Sequence, residues 1–312
     1  MRRLALVVLA GLLAGCGGSG GHDSPELTLA LDFTPNAVHA PLYAAAAHGA
    51  FKIQQPGSGP DALKLVASGR AQLGVLDIHD LAIARARGTH VVAVAALVER
   101  PLAALVARAP VRRPRDLEGR TVGVSGLPSD PAFVNAIVAH DGGDPDKVKE
   151  VTIGFSAVTR LLSGRVDAAP VFWNAEGVVL EQRGLDTREF RVDDYGAPRY
   201  PEVVLITSEA TLRRDGPKVR DALLAIANGI QTVRANPGAA ARRVAEAAET
   251  GDVDLVRAQL DAVAPLYGMR LDRRRLEAWA AFDARIGIVD RRPDVATAFD
   301  FDLGKDLGST AS

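Results

Sequence analysis

The chain alternates between short runs that suit β-strands and longer segments with helical periodicity. Polar and apolar residues alternate over Glu26–Leu31, and several later runs are almost wholly apolar, as buried strands are. These patterns predict strands at Glu26–Leu31, Gln72–Leu76, Val91–Leu97, Leu102–Ala107, Thr121–Val124, Val151–Ile153, Ala168–Phe172 and Val203–Thr207. They predict helices at Pro41–Ala47, Asp61–Ser68, Leu81–Arg87, Asp130–His140 and Val158–Ser163, and across most of Pro217–Ile286. This alternation predicts an α/β protein with mostly parallel sheets.

A pattern that occurs twice in the sequence predicts two similar lobes. A helix, the tripeptide Ser-Gly-Arg and a strand follow one another around residues 68–70, and again around 163–165. We therefore expect two crossovers, near residues 108–116 and 203–210. The predicted division assigns 26–110 and 206–312 to lobe 1, and 111–205 to lobe 2.

The first residues predict an extracytoplasmic, membrane-anchored protein. Arg2 and Arg3 precede the apolar run Leu4–Leu13, which is too short for a stable membrane-spanning helix. The sequence Leu-Ala-Gly-Cys then ends at Cys16, which looks like a lipoprotein processing site. We expect a signal peptide over 1–16, lipidation of Cys16, and a flexible Gly/Ser tether over 17–25. A secretory signal with a chance cysteine is the alternative.

Composition narrows the range of functions. The 312 residues are 47% hydrophobic, which is enough for two cores, and the net charge of −1 gives no reason to expect a nucleic-acid partner. Cys16 is the only cysteine, so no disulfide is expected, and the six histidines show no metal-binding spacing. We expect a monomer that needs no cofactor or metal.

Polar and aromatic residues are concentrated in four candidate loops. In α/β sheets, ligands bind at the loops that follow the strands. The candidate loops cover residues 31–43, 124–130, 171–177 and 192–202. The candidate ligand-binding residues are Asp32, Phe33, Asn36, His39, Tyr43, Asp77, Ser125, Gly126, Trp173, Asn174, Glu176 and Tyr200. Only 5% of the chain is aromatic, yet aromatic residues cluster in the last two loops, which suits stacking on a flat ring.

Each candidate also has a purely structural interpretation. Trp173 and Tyr43 could pack in the core, and Asp32 could stabilise a turn. Asn174 and Glu176 could serve only the start of a helix, and His39 could be a solvated loop residue. The functional interpretation depends on the four loops occurring together.

The motifs resemble one family along most of residues 27–290. The opening LDFTPNAVHAPLYAAAAHGAF is similar to the form L-D-W-x-P-N-x-x-H-x-x-L-Y of the NMT1/THI5-like solute-binding proteins. The similarity continues through DALKLVASGRAQLGV, DLEGRTVGVSGLPSD, LLSGRVDAAPVFWNAEG and DDYGAPRYPEVVLITS. The resemblance implies a type II periplasmic-binding-protein fold, with two α/β lobes around a ligand cleft and an ABC transporter permease as partner.

The resemblance also implies a ligand and roles for individual residues. The best-known ligands of the family are thiamine pyrimidine precursors, and some relatives bind riboflavin or other small solutes. Asn36, His39 and Tyr43 match the family motif, whereas Phe33 replaces its usual tryptophan. The chain is also shorter than the family pattern directly after Phe51.

A small heteroaromatic solute is therefore the expected ligand. We expect Phe33, Trp173 and Tyr200 to hold the ring. Asn36, Asn174 and Glu176 would orient it, with the Glu176 carboxylate accepting from an exocyclic amine.

Three alternatives stay open at this point. They are riboflavin, a sulfonate-like or nitrate-like anion bound at the helix N-terminus after Gly126, and an enzyme like the fungal pyrimidine synthases of the family. The resemblance implies a lysine-bound pyridoxal phosphate for those synthases. The six lysines lie outside the candidate loops, and Gly74–His79 contains none, which disfavours the enzyme.

Overall fold

Ten strands and eleven α-helices make up the described part of the chain. The computed structural model describes residues 27–56, 61–126 and 129–307, so the predicted signal peptide, Cys16 and the whole predicted tether lie outside the described residues. The strands are β1 Thr28–Ala30, β2 Lys52–Gln54, β3 Leu73–Asp77, β4 Val91–Val98, β5 Ala103–Arg108, β6 Thr121–Val124, β7 Lys149–Thr152, β8 Ala168–Phe172, β9 Thr187–Arg191 and β10 Val203–Ser208. The helices are α1 Ala40–Ala46, α2 Ala62–Ala67, α3 Ile78–Ala86, α4 Ser129–His140, α5 Ala157–Leu162, α6 Val178–Gln182, α7 Glu209–Ala235, α8 Pro237–Ala247, α9 Val253–Val263, α10 Arg273–Ile286 and α11 Val295–Ala298.

The strands form two five-stranded sheets with the same plan. The first sheet has the order β2-β1-β3-β10-β4, and the second has the order β7-β6-β8-β5-β9. Within each sheet the first three strands are parallel, whereas β10 and β5 run antiparallel to both of their neighbours. Each antiparallel strand directly follows a crossing of the chain from one sheet to the other. The sheets are therefore mixed rather than mostly parallel.

The strand pairing moves the boundaries between the lobes. The predicted limit at residue 110 would put β5 in lobe 1, but β5 pairs with β8 and β9 in the second sheet. The first crossover therefore lies at 99–102, not 108–116. The second precedes Val203, so β10 belongs wholly to the first sheet. The predicted limit at residue 110 is wrong because the sequence of an apolar strand does not indicate which strands it pairs with.

The C-terminal helices pack mainly on the first lobe. Helix α7 lies against α1, and the two approach so closely that a Cβ at Gly229 would come within 2.2 Å of the Pro41 carbonyl oxygen. Helix α9 also contacts α6, and α10 contacts α4, so both reach the second lobe. Among the described residues, no helix combines the length and the apolar character needed to cross a bilayer.

Two edge strands, β2 and β9, were not predicted. Strand β2 has three residues, of which the lysine and the glutamine are exposed, and β9 buries only Phe190 fully. Edge strands pair on one side alone and need little apolar surface, so their sequences lack the pattern that marks interior strands.

Candidate functional site

A cavity of about 680 Å³ lies between the two lobes and is lined by residues of both. The first lobe contributes the loop after β1, the carboxyl end of β3, the start of α2 and residues along α3 and α9. The second lobe contributes strand β8, the amino end of α4 and the loop after β7. Such a volume suits a small organic solute. Of the predicted residues, those that line it are Asp32, Phe33, Asn36, His39, Asp77, Ser125 and Glu176.

The loop after β1 is held in shape by its own polar side chains. The Asn36 side chain accepts from the Val38 N–H at 2.9 Å and donates to the Thr34 carbonyl at 3.1 Å. The Asn36 N–H donates to Nδ1 of His39 at 3.2 Å, so Nε2 of the neutral ring carries the proton and donates to Asp32 Oδ1 at 2.8 Å. Asn36 and His39 thus position the loop, and Asp32 is the residue that they fix at the cavity.

The aromatic wall of the cavity consists of phenylalanines. Phe33 and Phe155 come from opposite lobes and form an edge-to-face contact, with ring centroids 5.3 Å apart and an interplanar angle of 74°. Phe133 on α4 and Phe172 at the end of β8 also line the cavity. Only Phe33 was predicted. Phe172 directly precedes the WNAEG segment, and Phe155 follows a strand in the second lobe, so their positions next to strand ends were the available signal.

Five predicted residues lie away from the cavity lining: Tyr43, Gly126, Trp173, Asn174 and Tyr200. The Trp173 indole N–H donates to the Pro101 carbonyl at 3.2 Å, and the Arg191 guanidinium lies 3.9 Å from the centre of the ring. Tyr200 is fully buried and forms a hydrogen bond with His79, whereas the Tyr43 hydroxyl accepts a hydrogen bond from the Gln55 amide at 3.4 Å. The predicted stacking of a ligand on Trp173 and Tyr200 is therefore wrong, because both rings pack against other residues of the protein and do not line the cavity.

Asn174 also lies away from the cavity, within a π-helical turn over Trp173–Gly177. Its side chain is fully buried, and neither its oxygen nor its nitrogen has a hydrogen-bond partner among the described residues. Across the cleft, Gln259 of α9 donates to the carbonyl of the next residue, Ala175, at 3.3 Å. The turn is thus a direct contact between the lobes.

Glu202, which the sequence analysis missed, links both crossovers at the cavity. Its Oε2 accepts from the N–H groups of Leu102 at 2.5 Å and Ala103 at 3.2 Å. Its Oε1 has no hydrogen-bond partner in the described residues and lies 3.8 Å from Nε2 of His79. Burial raises the pKa of Glu202 to about 7. The Glu202 carboxyl group can therefore interact both with a bound ligand and with the two segments that join the lobes.

The cavity is rich in carboxyl groups. Within the described ranges, six carboxyl groups line it: Asp32, Asp77, Asp80, Asp130, Glu176 and Glu202. Burial raises the pKa of Asp77 well above its ordinary value, although His79 opposes the shift, and burial also raises the pKa of Glu176. Asp77 caps α3 by accepting from the His79 N–H at 2.7 Å, and Glu176 accepts from the Phe172 N–H at 3.2 Å.

Two positively charged side chains also line the cavity. Lys64 on α2 and Arg87 at the end of α3 are both exposed. Lys64 lies outside the predicted loops, but helix α2 brings it to the cavity. The lining carboxyl groups therefore outnumber the lining cations, and the arrangement favours ligands that donate hydrogen bonds or carry positive charge.

A carboxylate from the first turn of α4 binds the loop that precedes this helix. Asp130 Oδ2 accepts from the Ser125 N–H at 2.5 Å. Gly126, with φ of +96°, follows Ser125 but is not among the residues that line the cavity. A carboxylate at this position repels an incoming anion and competes for the same donors. The geometry thus weighs against the alternative of an anion site after Gly126.

Comparisons with known proteins agree with the sequence motifs. The NMT1/THI5-like family model matches residues 36–240. A formylaminopyrimidine-binding protein of Halalkalibacterium halodurans is 33% identical over 247 residues, which are 75% of each chain. A 4-amino-5-hydroxymethyl-2-methylpyrimidine phosphate synthase of Saccharomyces cerevisiae is 26% identical over 236 residues, or 69% of each chain.

Solved structures share the fold at low identity. The periplasmic aliphatic sulphonate binding protein of Escherichia coli superposes with a TM-score of 0.73 at 16% identity, over 88% of this chain and 92% of that one. The alkanesulfonate-binding protein of Xanthomonas axonopodis pv. citri gives 0.72 at 16% identity, over 88% and 97%. The expected two-lobed binding-protein fold is confirmed, and the chain belongs to the NMT1/THI5-like family.

Proposed function

We propose that this chain is the extracytoplasmic solute-binding lipoprotein of an ABC importer and that it captures a thiamine pyrimidine precursor. The observation that carries the proposal is the cavity between the lobes, where a phenylalanine wall lies beside buried carboxyl groups. Phenylalanine faces stack on a flat ring, and carboxyl groups accept from its exocyclic amine. The formylaminopyrimidine-binding relative supports the same class of ligand.

The mechanism follows from a cleft with two walls. The ring would enter between the lobes and lie near Phe33 of the first and Phe155 of the second, while Glu176 and Glu202 accept hydrogen bonds. Contacts with both walls are made together only when the lobes are close, so the ligand stabilises the closed state. The closed protein, acting as a monomer, would then deliver the solute to its permease.

Three alternatives differ in how well the cavity suits them. A volume of about 680 Å³ exceeds the needs of one pyrimidine ring, which keeps riboflavin as a second candidate. A sulfonate-like anion would meet the Asp130 carboxylate at the amino end of α4. An enzyme of the synthase type needs a lysine for pyridoxal phosphate, and Lys64 is the lysine to test by borohydride reduction and mass analysis.

A ligand panel tests the proposal. We expect 4-amino-2-methylpyrimidines to raise the melting temperature, because a ligand at 100 times its Kd adds about 2.7 kcal/mol to stability. Replacing Phe33 by leucine should weaken their binding about tenfold, because it removes an aromatic contact. The exposed Leu224→Ala on α7 is the control. Stabilisation by alkanesulfonates, and by none of the pyrimidines, would refute the assignment.

The membrane anchor has its own test. Cys16→Ala should leave an unprocessed precursor or release the protein, since the thiol would carry the lipid. Fractionation of cells and mass analysis of the mature amino terminus measure both outcomes. A Cys16→Ala variant that is processed and membrane-bound like the parent contradicts lipidation at this residue.

A further inference from the structure

We propose that the preferred ligand carries a positively charged amino group, balanced by the carboxylates of Asp32, Asp80 and Asp130. This inference deepens the proposed function and depends on it. It concerns the charge of the solute rather than the nature of its ring.

The three carboxyl groups reach one cavity from both lobes. Asp32 follows β1 and Asp80 lies in the first turn of α3, both in the first lobe, whereas Asp130 lies in the first turn of α4 in the second. All three are half-buried. Bringing the lobes together therefore brings like charges together, which costs free energy unless a cation lies between them.

The positively charged groups of the protein around Asp80 and Asp130 do not balance the charge of the carboxylates. Burial raises the pKa of Asp80; His79 opposes the shift, while the charges of Asp32 and Asp130 add to it, and Arg87 lowers it. His79 is paired with Asp283, its Nδ1 lying 2.8 Å from Oδ1. Glu150 also faces Asp130 and has a pKa raised first by burial and then by that neighbour. Negative groups thus dominate around Asp80 and Asp130.

A second, independent observation points to the same kind of ligand. Oε1 of Glu202 is fully buried at the cavity and has no N–H donor within hydrogen-bond distance among the described residues; its polar neighbours are the Asp77 carboxyl group and Nε2 of His79, 3.8 Å away. A buried carboxyl oxygen without a donor is costly, and a ligand N–H removes that cost. The solute would therefore bear two donor groups. One would donate to Oε1 of Glu202, and the other, which is charged, would lie between Asp80 and Asp130.

Three matched ligands separate charge from ring recognition. They are the 5-aminomethyl, 5-formylaminomethyl and 5-hydroxymethyl forms of 4-amino-2-methylpyrimidine, of which only the first is a cation at neutral pH. Calorimetry at pH 7 should give the aminomethyl form a Kd at least about tenfold lower than either neutral form. Its advantage should shrink at high salt, and binding should release protons because a cation favours ionised carboxyls.

Two conservative variants locate the effect. Asp80→Asn and Asp130→Asn should each reduce the preference for the aminomethyl form about tenfold while changing the affinity for the neutral forms little. The Asp130→Asn side chain keeps an oxygen that can accept the Ser125 N–H, so the start of α4 is retained. Asp290→Asn, an exposed position in the C-terminal region, is the control and should leave the preference unchanged.

The possible results separate this inference from the proposed function. If a neutral form binds as tightly as the aminomethyl form, the charged-ligand proposal is overturned and pyrimidine binding stands. If none of the three binds, the proposed function fails and this inference with it. A tenfold preference that survives both variants also overturns the assignment to Asp80 and Asp130. If a variant does not fold, the salt dependence and proton release of the parent protein decide the question.

Discussion

Replacing Asp283 by alanine is expected to lower the free energy of unfolding by roughly 3–5 kcal/mol at pH 6, because it leaves a buried charge without its partner. Asp283 on α10 is fully buried, and its two oxygens lie 2.8 and 2.9 Å from Nδ1 of His79 on α3. Nε2 of His79 lies 3.1 Å from the Tyr200 hydroxyl in the second crossover. One buried pair thus joins the C-terminal helices, the first lobe and the hinge.

The pKa of His79 fixes the pH at which this loss should be measured. Burial is the largest single influence and lowers the pKa of His79, but Asp283, Asp77 and Asp80 together outweigh it, so the net pKa is raised. The stabilisation by a protonated His79 is therefore fully present below its ordinary pKa of about 6.5, and it is lost as the pH rises through the raised value.

Urea denaturation monitored by circular dichroism measures the change. Asp290→Ala, at an exposed aspartate, should stay within about 0.5 kcal/mol of the parent. The double variant His79→Phe, Asp283→Leu should recover much of the loss, because apolar groups can replace a buried ion pair at little cost. A single Asp283→Ala variant as stable as the parent would show that the pair contributes nothing to the fold.

Replacing Glu202 by glutamine is expected to stabilise the empty protein at alkaline pH and to weaken ligand binding. The folded-state pKa of about 7 lies above the ordinary value of 4.5. The folded protein therefore holds this proton more tightly than the unfolded chain. The resulting stabilisation is fully present below about pH 4.5, and it is lost as the pH rises through 7.

Glutamine carries no such proton and keeps an oxygen that can accept the N–H groups of Leu102 and Ala103. On going from pH 5 to pH 8, the variant should lose less stability than the parent by on the order of 2 kcal/mol. Its affinity for an amine donor should fall about tenfold or more, because the charge-assisted hydrogen bond is lost. Thermal unfolding across this pH range, followed by calorimetry with ligand, measures both effects.

Glu181→Gln on α6 is the control, since Glu181 is exposed and does not line the cavity. It should follow the parent at every pH. If Glu202→Gln has the pH dependence of the parent, the proton on Glu202 is not linked to folding. If its ligand affinity is also unchanged, the carboxyl serves only to join the crossovers.

The sequence predicted the elements of the site better than the roles of its side chains. Loop 31–43 was expected at the ligand because it follows a strand, and Asp32 and Phe33 do line the cavity. The same reasoning chose Trp173 and Tyr200, which sit in comparable loops but turn into the protein. Whether a loop aromatic faces a cleft or a core depends on which distant segments pack against it, and a local pattern does not contain that information.

Glu202 and Phe155 were missed for the same reason, because a local pattern does not show which distant segments will pack against a residue. Glu202 comes just before an apolar strand and resembles any solvated residue at a strand start. Its importance arises because the backbone of residues 102 and 103, a hundred positions earlier, lies beside it. Phe155 becomes part of the site because the other lobe places Phe33 opposite it.

The sequence by itself determined the alternation of strands and helices, the repeated Ser-Gly-Arg units and the motifs that identify the family. These are local properties, since periodicity, caps and turn residues act over a few positions. The tertiary structure decided the sheet to which β5 belongs, the rings that reach the cavity and the carboxyls that meet there. Those features depend on contacts between distant segments, because burial and like-charge proximity arise only when the lobes are assembled.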